Sequence, residues 1–213
     1  MIKTLYLWDL AGTIFYEKWD AKKTGQPTYD AWLEAQLGKN ISEISDREYE
    51  EMQKIPYSQG WYFQLDLQPG AKEVLEWAKH NETFTTGTPE QMDWRAECLL
   101  PKTGFDFRPY FQKINSTFDF GETNKKTPEM VANYLTEKYQ QGYRVIVYTD
   151  DKLANCQMFL QAVKSFQDKY VDFSYRIYHI LNSNSGLIKD NEYYQIGSLS
   201  DLLANEKELI KKS

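Results

Sequence analysis

Acidic residues directly follow two apolar runs of this sequence. Asp9 comes after LYLW and before the turn AGT, and Asp150 and Asp151 come after VIVYT. Buried strands of a parallel sheet read as continuous apolar runs, and such sheets bind ligands beyond the carboxyl ends of their strands. An Asp beside a Gly turn, or at the start of a helix, can also be a simple cap. Two adjacent acids after a buried strand would repel one another, however, and this favours a bound cation.

Two further stretches carry groups that suit an anionic ligand. TFTTGTPE, residues 83–90, offers hydroxyls followed by small residues, so that a side chain and backbone amides can bind phosphoryl oxygens. Thr85 fits this role best, and Thr86 or Thr88 remain alternatives. NKKTPE, residues 124–129, sets Lys125 and Lys126 before a helix, where either lysine could balance negative charge.

These residue types would suit phosphoryl transfer to a carboxylate. A carboxylate can attack a phosphoryl group and form an aspartyl-phosphate, which divides one difficult displacement into two easier ones. Because nucleophile and substrate are both anionic, a hard cation is needed, and Mg²⁺ suits oxygen ligands and a few carboxylates. Asp9 is therefore the candidate nucleophile, and Asp150 and Asp151 are candidate ligands.

The four stretches, in this order, resemble the motifs of the haloacid dehalogenase-like (HAD) hydrolase superfamily over nearly the whole chain. The resemblance implies Mg²⁺ bound by the side chains of Asp9 and Asp150, by the backbone carbonyl of Ala11, and by Asp151 directly or through water. DDKLAN resembles a DDxxxN form of the fourth motif, in which Asn155 orients the acids.

The resemblance also implies which of the two lysines balances the negative charge of Asp9 and the phosphoryl group. Aligning Pro128 with the usual proline of a KPxP-like motif places Lys125 at the lysine position, so Lys125 is preferred to Lys126, although KKTP allows a shift of one residue. The predicted catalytic residues are therefore Asp9, Thr85 and Lys125.

Ala11 departs from the phosphatase pattern. HAD phosphatases usually carry a second Asp at this position as general acid and base, a role typically worth about 10² to 10⁴-fold in rate. DLAGT resembles phosphonoacetaldehyde hydrolases, in which a cap lysine, here Lys39 or Lys54, forms a Schiff base. A catalytically weakened binding or regulatory protein is a further alternative. The first expectation is a Mg²⁺-dependent hydrolase of a small phosphorylated compound.

The order of elements predicts an α/β protein with a doubly wound parallel sheet of HAD-type, Rossmann-like character. Residues 1–15 and 68–213 are expected to form the core, and 16–67 a small helical cap inserted after the first strand. Aromatic residues crowd the cap, and Trp61, Tyr62 and Phe63 are expected to flank the cleft. Helices are predicted for residues 27–37, 45–55, 69–78, 89–100, 127–141, 153–166 and 202–210, and further strands for 111–118 and 175–181.

Composition limits the possible partners. The 213 residues carry a net charge of −6 and a pI near 5.1, which argues against a nucleic-acid or membrane surface. Cys98 and Cys156 stand apart without CxxC spacing, and this predicts neither disulfides nor a zinc site. His80 and His179 are interpreted as structural. We expect a cytoplasmic monomer or homodimer that binds a small phosphorylated metabolite and neither nucleic acid nor membrane.

Overall fold

The computed structural model describes residues 2–52, 55, 63–120, 125–181, 186–189 and 192–212. Its strands are β1 (Lys3–Trp8), β2 (Phe15–Trp19), β3 (Phe63–Leu67), β4 (Asn81–Thr83), β5 (Tyr143–Asp150), β6 (Ser174–Ile180), β7 (Ile188–Lys189) and β8 (Tyr194–Ile196). Its α-helices are α1 (Ala21–Thr24), α2 (Tyr29–Leu37), α3 (Asp46–Met52), α4 (Ala71–Trp77), α5 (Pro89–Thr103), α6 (Pro128–Gln140), α7 (Leu153–Lys169) and α8 (Leu199–Lys212). None of the described helices is long and apolar enough to cross a membrane.

The core is a six-stranded sheet in the order β4-β1-β5-β6-β8-β7, parallel except for β7. Successive side chains of a strand point to opposite faces, and β1 uses both. Tyr6 and Trp8 pack with α4, α5 and α8, whereas Leu5 and Leu7 pack with α6 and α7. The α/β class, with a mostly parallel sheet flanked by helices and compatible with a Rossmann-like fold, is thereby confirmed.

The strand order creates a crevice at the end of β1. The chain leaves β1 to form β4 on one side and later forms β5 on the other side. Ligands of open α/β sheets bind at such a switch point, outside the carboxyl ends of the two central strands. Residues that follow β1 and β5 therefore meet where a ligand would bind.

The strand predicted within residues 111–118 does not form as a regular strand. This segment runs parallel to β4 through isolated bridges, with Gln112 N donating to Asn81 O (2.8 Å). The Thr83 hydroxyl accepts from Asn115 N (2.8 Å) and donates to Asn115 O (3.0 Å). A side chain thus replaces part of the backbone ladder, and short 3₁₀ helices, Arg108–Tyr110 and Thr117–Asp119, flank the segment.

The inserted segment contains a ribbon as well as helices. Strands β2 and β3 pair antiparallel from Phe15 opposite Leu67 to Trp19 opposite Phe63, so the predicted helical cap begins and ends in strand. The inserted segment has a small hydrophobic core of its own, which contains Tyr29, Trp32 and Leu33. Helix α2 begins after Thr28, whose hydroxyl accepts from Ala31 N (3.1 Å), rather than at residue 27. Trp61 and Tyr62 lie outside the described residues.

Candidate active site

Asp9 lies at the point where β1 gives way to a tight loop. Its backbone amide donates a hydrogen bond to Thr149 O of the neighbouring β5 (2.9 Å). Within the loop, Ile14 N donates to Leu10 O (2.8 Å). Gln68, which follows the ribbon, donates from Nε2 to Gly12 O (2.7 Å). The loop therefore holds the largely buried Asp9 carboxylate at the floor of the switch-point crevice.

Three acids meet beside this loop. Carboxylate oxygens of Asp9, Asp150 and Asp151 lie within 4.8 Å of one another. Asp150 is fully buried and accepts from Lys152 N (2.8 Å) and from Asn155 Nδ2 (3.1 Å to each oxygen). The contact of Asn155 is with Asp150, which agrees with an orienting role.

Lys126, not Lys125, reaches the acids. Its Nζ lies 2.7 Å from Asp9 Oδ1 and 2.6 Å from Asp150 Oδ2, and its side chain is fully buried. Lys125 is exposed and lines the mouth of the cleft. The geometry therefore favours Lys126 over the predicted Lys125 as the lysine that balances charge on Asp9. Thr127, which caps α6, has extended backbone (φ −124°, ψ 153°), so both lysines precede the helix, and of the two only Lys126 is buried.

Tyr148 completes the hydrogen bonds of this cluster. Its hydroxyl donates to Asp150 Oδ2 (2.5 Å) and lies 3.1 Å from Lys126 Nζ. Its ring stacks on Phe159 with centroids 4.0 Å apart. Within the apolar run of β5 it reads as a core residue, which is why sequence reasoning missed it.

Gly12 allows the Asp151 carboxylate to approach the loop that follows β1. Its φ is +81°, and a Cβ placed there would lie 2.2 Å from Asp151 Oδ2. Any side chain would therefore clash with Asp151 as well as strain the backbone. Asp151 Oδ1 is buried and has no hydrogen-bond partner among the described residues, while Asp151 O contacts His179 Nε2 (3.1 Å).

The charges of the cluster do not balance. Burial, reinforced by Asp150 and Asp151 and opposed by Lys126, raises the pKa of Asp9 to about 7. Burial and Asp150 raise the pKa of Asp151 to about 6. Burial alone would raise the pKa of Asp150, but Lys126 and Tyr148 lower it below its ordinary value.

Lys126 supplies the one positive charge in contact with these acids among the described residues. Burial alone would lower the pKa of its ammonium group, but Asp150 and Asp9 raise it above its ordinary value. Within the described part of the chain, three clustered carboxylates thus have a single ammonium in contact with them, and Asp151 Oδ1 is buried without a hydrogen-bond partner. A hard divalent cation would balance this deficit, so the residues fit Mg²⁺.

Metal binding gives a first prediction. Mg²⁺ at about 100 times its Kd should stabilise the protein by about 2.7 kcal/mol and raise the Tm by about 5 to 10 °C. Asp150→Asn should lose most of this rise, measured against its own metal-free Tm by differential scanning fluorimetry. Asp168→Asn, the same change at an exposed position, should keep the full rise. Equal rises in Asp150→Asn and the wild type would mean that the metal binds elsewhere.

Thr85 lies beside Asp9 because β4 pairs with β1. Phe84 N donates to Trp8 O (2.8 Å), and Thr117 N donates to Thr85 O (2.9 Å). Gly87 N approaches the Thr85 hydroxyl at 3.4 Å. Thr85 is buried and Thr86 half-buried, and both line the same cleft as Asp9 and Asp151.

The cleft has a volume of about 800 Å³, and residues of the inserted segment form part of its lining. Tyr16, Glu17 and Tyr49 are the lining residues that this segment contributes. Lys39, a candidate Schiff-base lysine, is instead paired with Glu48 on the surface of the segment (2.9 Å) and does not line the cleft. Lys54, the other candidate, lies outside the described residues.

No protein-family model, curated protein or solved structure matches this chain. The chemistry of the site therefore has to be judged from its own groups. These are a buried carboxylate at a switch point, a lysine bridging two acids, and hydroxyl and amide groups of the neighbouring segment 85–87.

Proposed function

We propose that the protein is a Mg²⁺-dependent phosphohydrolase of the HAD type that acts on a small phosphorylated compound. The observation that carries the proposal is the position of Asp9: a buried carboxylate facing the cleft, 2.7 Å from Lys126 Nζ, with Asp150 and Asp151 beside it. A structural cluster would need neither a surplus of negative charge nor an 800 Å³ cleft above it. In this proposal residues 1–15 and 68–213 are the catalytic core and 16–67 the cap.

Each group has a distinct part in the proposed reaction. Asp9 attacks the phosphorus atom, the ester oxygen leaves with the bonding electrons, and water then hydrolyses the aspartyl-phosphate and regenerates the carboxylate. Lys126 balances charge on Asp9 and on the phosphoryl oxygens. Thr85, with backbone amides of the segment 85–87, holds the phosphoryl oxygens. Bound Mg²⁺, held by Asp9, Asp150, Asp151 and the Ala11 carbonyl, would supply the positive charge that lets two anions approach.

A direct test of the proposal combines trapping of a phosphoryl analogue at Asp9 with an assay of phosphate-ester hydrolysis. Beryllium fluoride should bind at Asp9 only when Mg²⁺ is present, detected by ¹⁹F NMR, and a panel of phosphate esters should be hydrolysed. Phosphonoacetaldehyde belongs in the panel because of Ala11. Trapping without turnover of any ester would favour the binding or regulatory alternative, and neither trapping nor turnover would contradict the proposal.

Ala11 predicts an unusual dependence on the leaving group. Without a carboxyl at this cleft-lining position, the leaving oxygen departs largely unprotonated, so acyl and aryl phosphates should react far faster than alkyl phosphates. Ala11→Asp should flatten this dependence and accelerate alkyl esters by up to about 10² to 10⁴-fold. Because the new carboxyl joins three acids, their charge should help to keep it protonated.

Ala11→Asn is the matched control, since an amide of the same size cannot donate a proton as an acid does. The measurement is kcat/KM over a series of esters for the wild type and both variants. A wild type that is insensitive to the leaving group, with Ala11→Asp no faster than Ala11→Asn, would show that another group protonates the leaving oxygen.

A further inference from the structure

An ion pair between a buried arginine and a partly buried glutamate joins the cap ribbon to the helix that follows the segment 85–87. Arg95 of α5 is 5% exposed and donates from Nε to Glu17 Oε1 (2.7 Å) and from Nη2 to Glu17 Oε2 (3.2 Å). Glu17 lies in the middle of β2, and both residues line the cleft. A two-pronged arginine–carboxylate pair fixes orientation as well as distance. The pair therefore fixes the orientation of the Glu17 carboxylate relative to α5.

The same guanidinium also touches the start of α5. Arg95 Nη1 donates to Gln91 Oε1 (3.2 Å), which also accepts from Thr88 N (3.2 Å). A Cβ on Gly87 would lie 2.6 Å from Gln91 Oε1 and 2.9 Å from Arg95 Nη1. The backbone of Gly87 therefore packs directly on the ends of these two side chains, and a side chain at this position would have to displace them.

We propose that Arg95 is a positioning residue that sets the cap ribbon in register with the phosphoryl-binding segment 85–87. The inference rests on the proposed function and extends it to the closure of the cleft. Displacement of Glu17 moves the guanidinium, and this disturbs the contact with Gly87 two residues from the Thr85 hydroxyl. Cap position and phosphoryl binding are thereby linked through one planar group.

A second ion pair between the same two elements provides a matched comparison. Lys102 of α5 contacts Asp66 of β3 at 2.6 Å, but both side chains are more than half exposed and neither lines the cleft. Loss of the Lys102–Asp66 pair weakens the attachment of the ribbon without touching the segment 85–87. Glu17→Gln and Asp66→Asn remove the same charge from the two strands of one ribbon.

Turnover is the first measurement. Glu17→Gln should lower kcat by about 10²-fold on a reactive ester, the loss expected when reacting groups are misplaced by about 1 Å, while KM changes much less. Asp66→Asn should stay within about twofold of the wild type in both constants. Assays run well below the Tm of each variant separate misplacement from unfolding.

Hydrogen exchange is the second measurement, and it does not depend on turnover. Glu17→Gln should speed amide exchange within residues 85–91, whereas a pair that only attaches the cap would speed exchange in β2 and β3 alone. Asp66→Asn should leave residues 85–91 at the wild-type rate. Arg95→Lys keeps the positive charge but cannot form the bidentate pair, so it should change the exchange of residues 85–91 as Glu17→Gln does. If Glu17→Gln does not fold, Arg95→Lys takes its place in the comparison.

The two proposals fail in different ways. A wild type that neither hydrolyses esters nor traps beryllium fluoride contradicts the phosphohydrolase, and the exchange comparison then decides the coupling by itself. An active wild type in which Glu17→Gln and Asp66→Asn behave alike, in kcat and in exchange of residues 85–91, overturns the positioning role of Arg95.

Discussion

Asparagine in place of Asp9 is expected to lower kcat/KM by at least about 10⁴-fold, as is typical when a covalent nucleophile is removed. The amide keeps the volume of the side chain, and its oxygen can still accept from Lys126, but it is neither a nucleophile nor a good ligand for a hard cation. The measurement is steady-state turnover of the best ester, together with Mg²⁺-dependent trapping of beryllium fluoride.

The fold should survive this change. Burial and two neighbouring acids disfavour the ionised form of Asp9, so a neutral amide should leave the metal-free Tm unchanged or raise it. Asp168→Asn, an exposed control, should keep full activity. If Asp9→Asn retains more than about 1% of wild-type kcat/KM, against the much larger loss expected, Asp9 is not the nucleophile.

The adjacent lysines should respond very differently to the same substitution. Lys126→Met leaves Asp9 and Asp150 without their buried partner, and loss of one member of a buried pair typically costs about 3 to 5 kcal/mol. The free energy of unfolding of the metal-free protein, measured in urea at pH 8, should fall by this amount. Because a positive charge beside the phosphoryl group is lost, kcat/KM should also fall by about 10² to 10³-fold.

Lys125→Met is the matched control, one residue away and exposed. It should change the free energy of unfolding by no more than about 0.5 kcal/mol, the usual range for surface substitutions, and affect turnover much less than Lys126→Met. If Lys125→Met has the larger effect on turnover, the lysine assignment drawn from the structure is wrong and the sequence-based one stands.

Local sequence determined the main parts of the core. Apolar runs that end in acids predicted β1 and β5, with Asp9 and Asp150 at their ends, and helical periodicity predicted α4 to α8 close to their observed bounds. These features could be predicted because burial on both faces of a parallel strand, and on one face of a helix, leaves a pattern within a few consecutive residues. Mg²⁺, phosphohydrolase activity, a cytoplasmic location and the oligomeric state remain predictions.

Tertiary structure decided which neighbouring side chain faces inward and which distant elements meet. Lys126 rather than Lys125 contacts the acids, and the two lysines are adjacent, so no local pattern in the sequence distinguishes them. Pairing of β2 with β3, and of Glu17 with Arg95, joins residues far apart along the chain, so neither segment alone carries a signal of its partner. Local patterns report burial, whereas partners separated by dozens of residues are selected only when the whole chain packs.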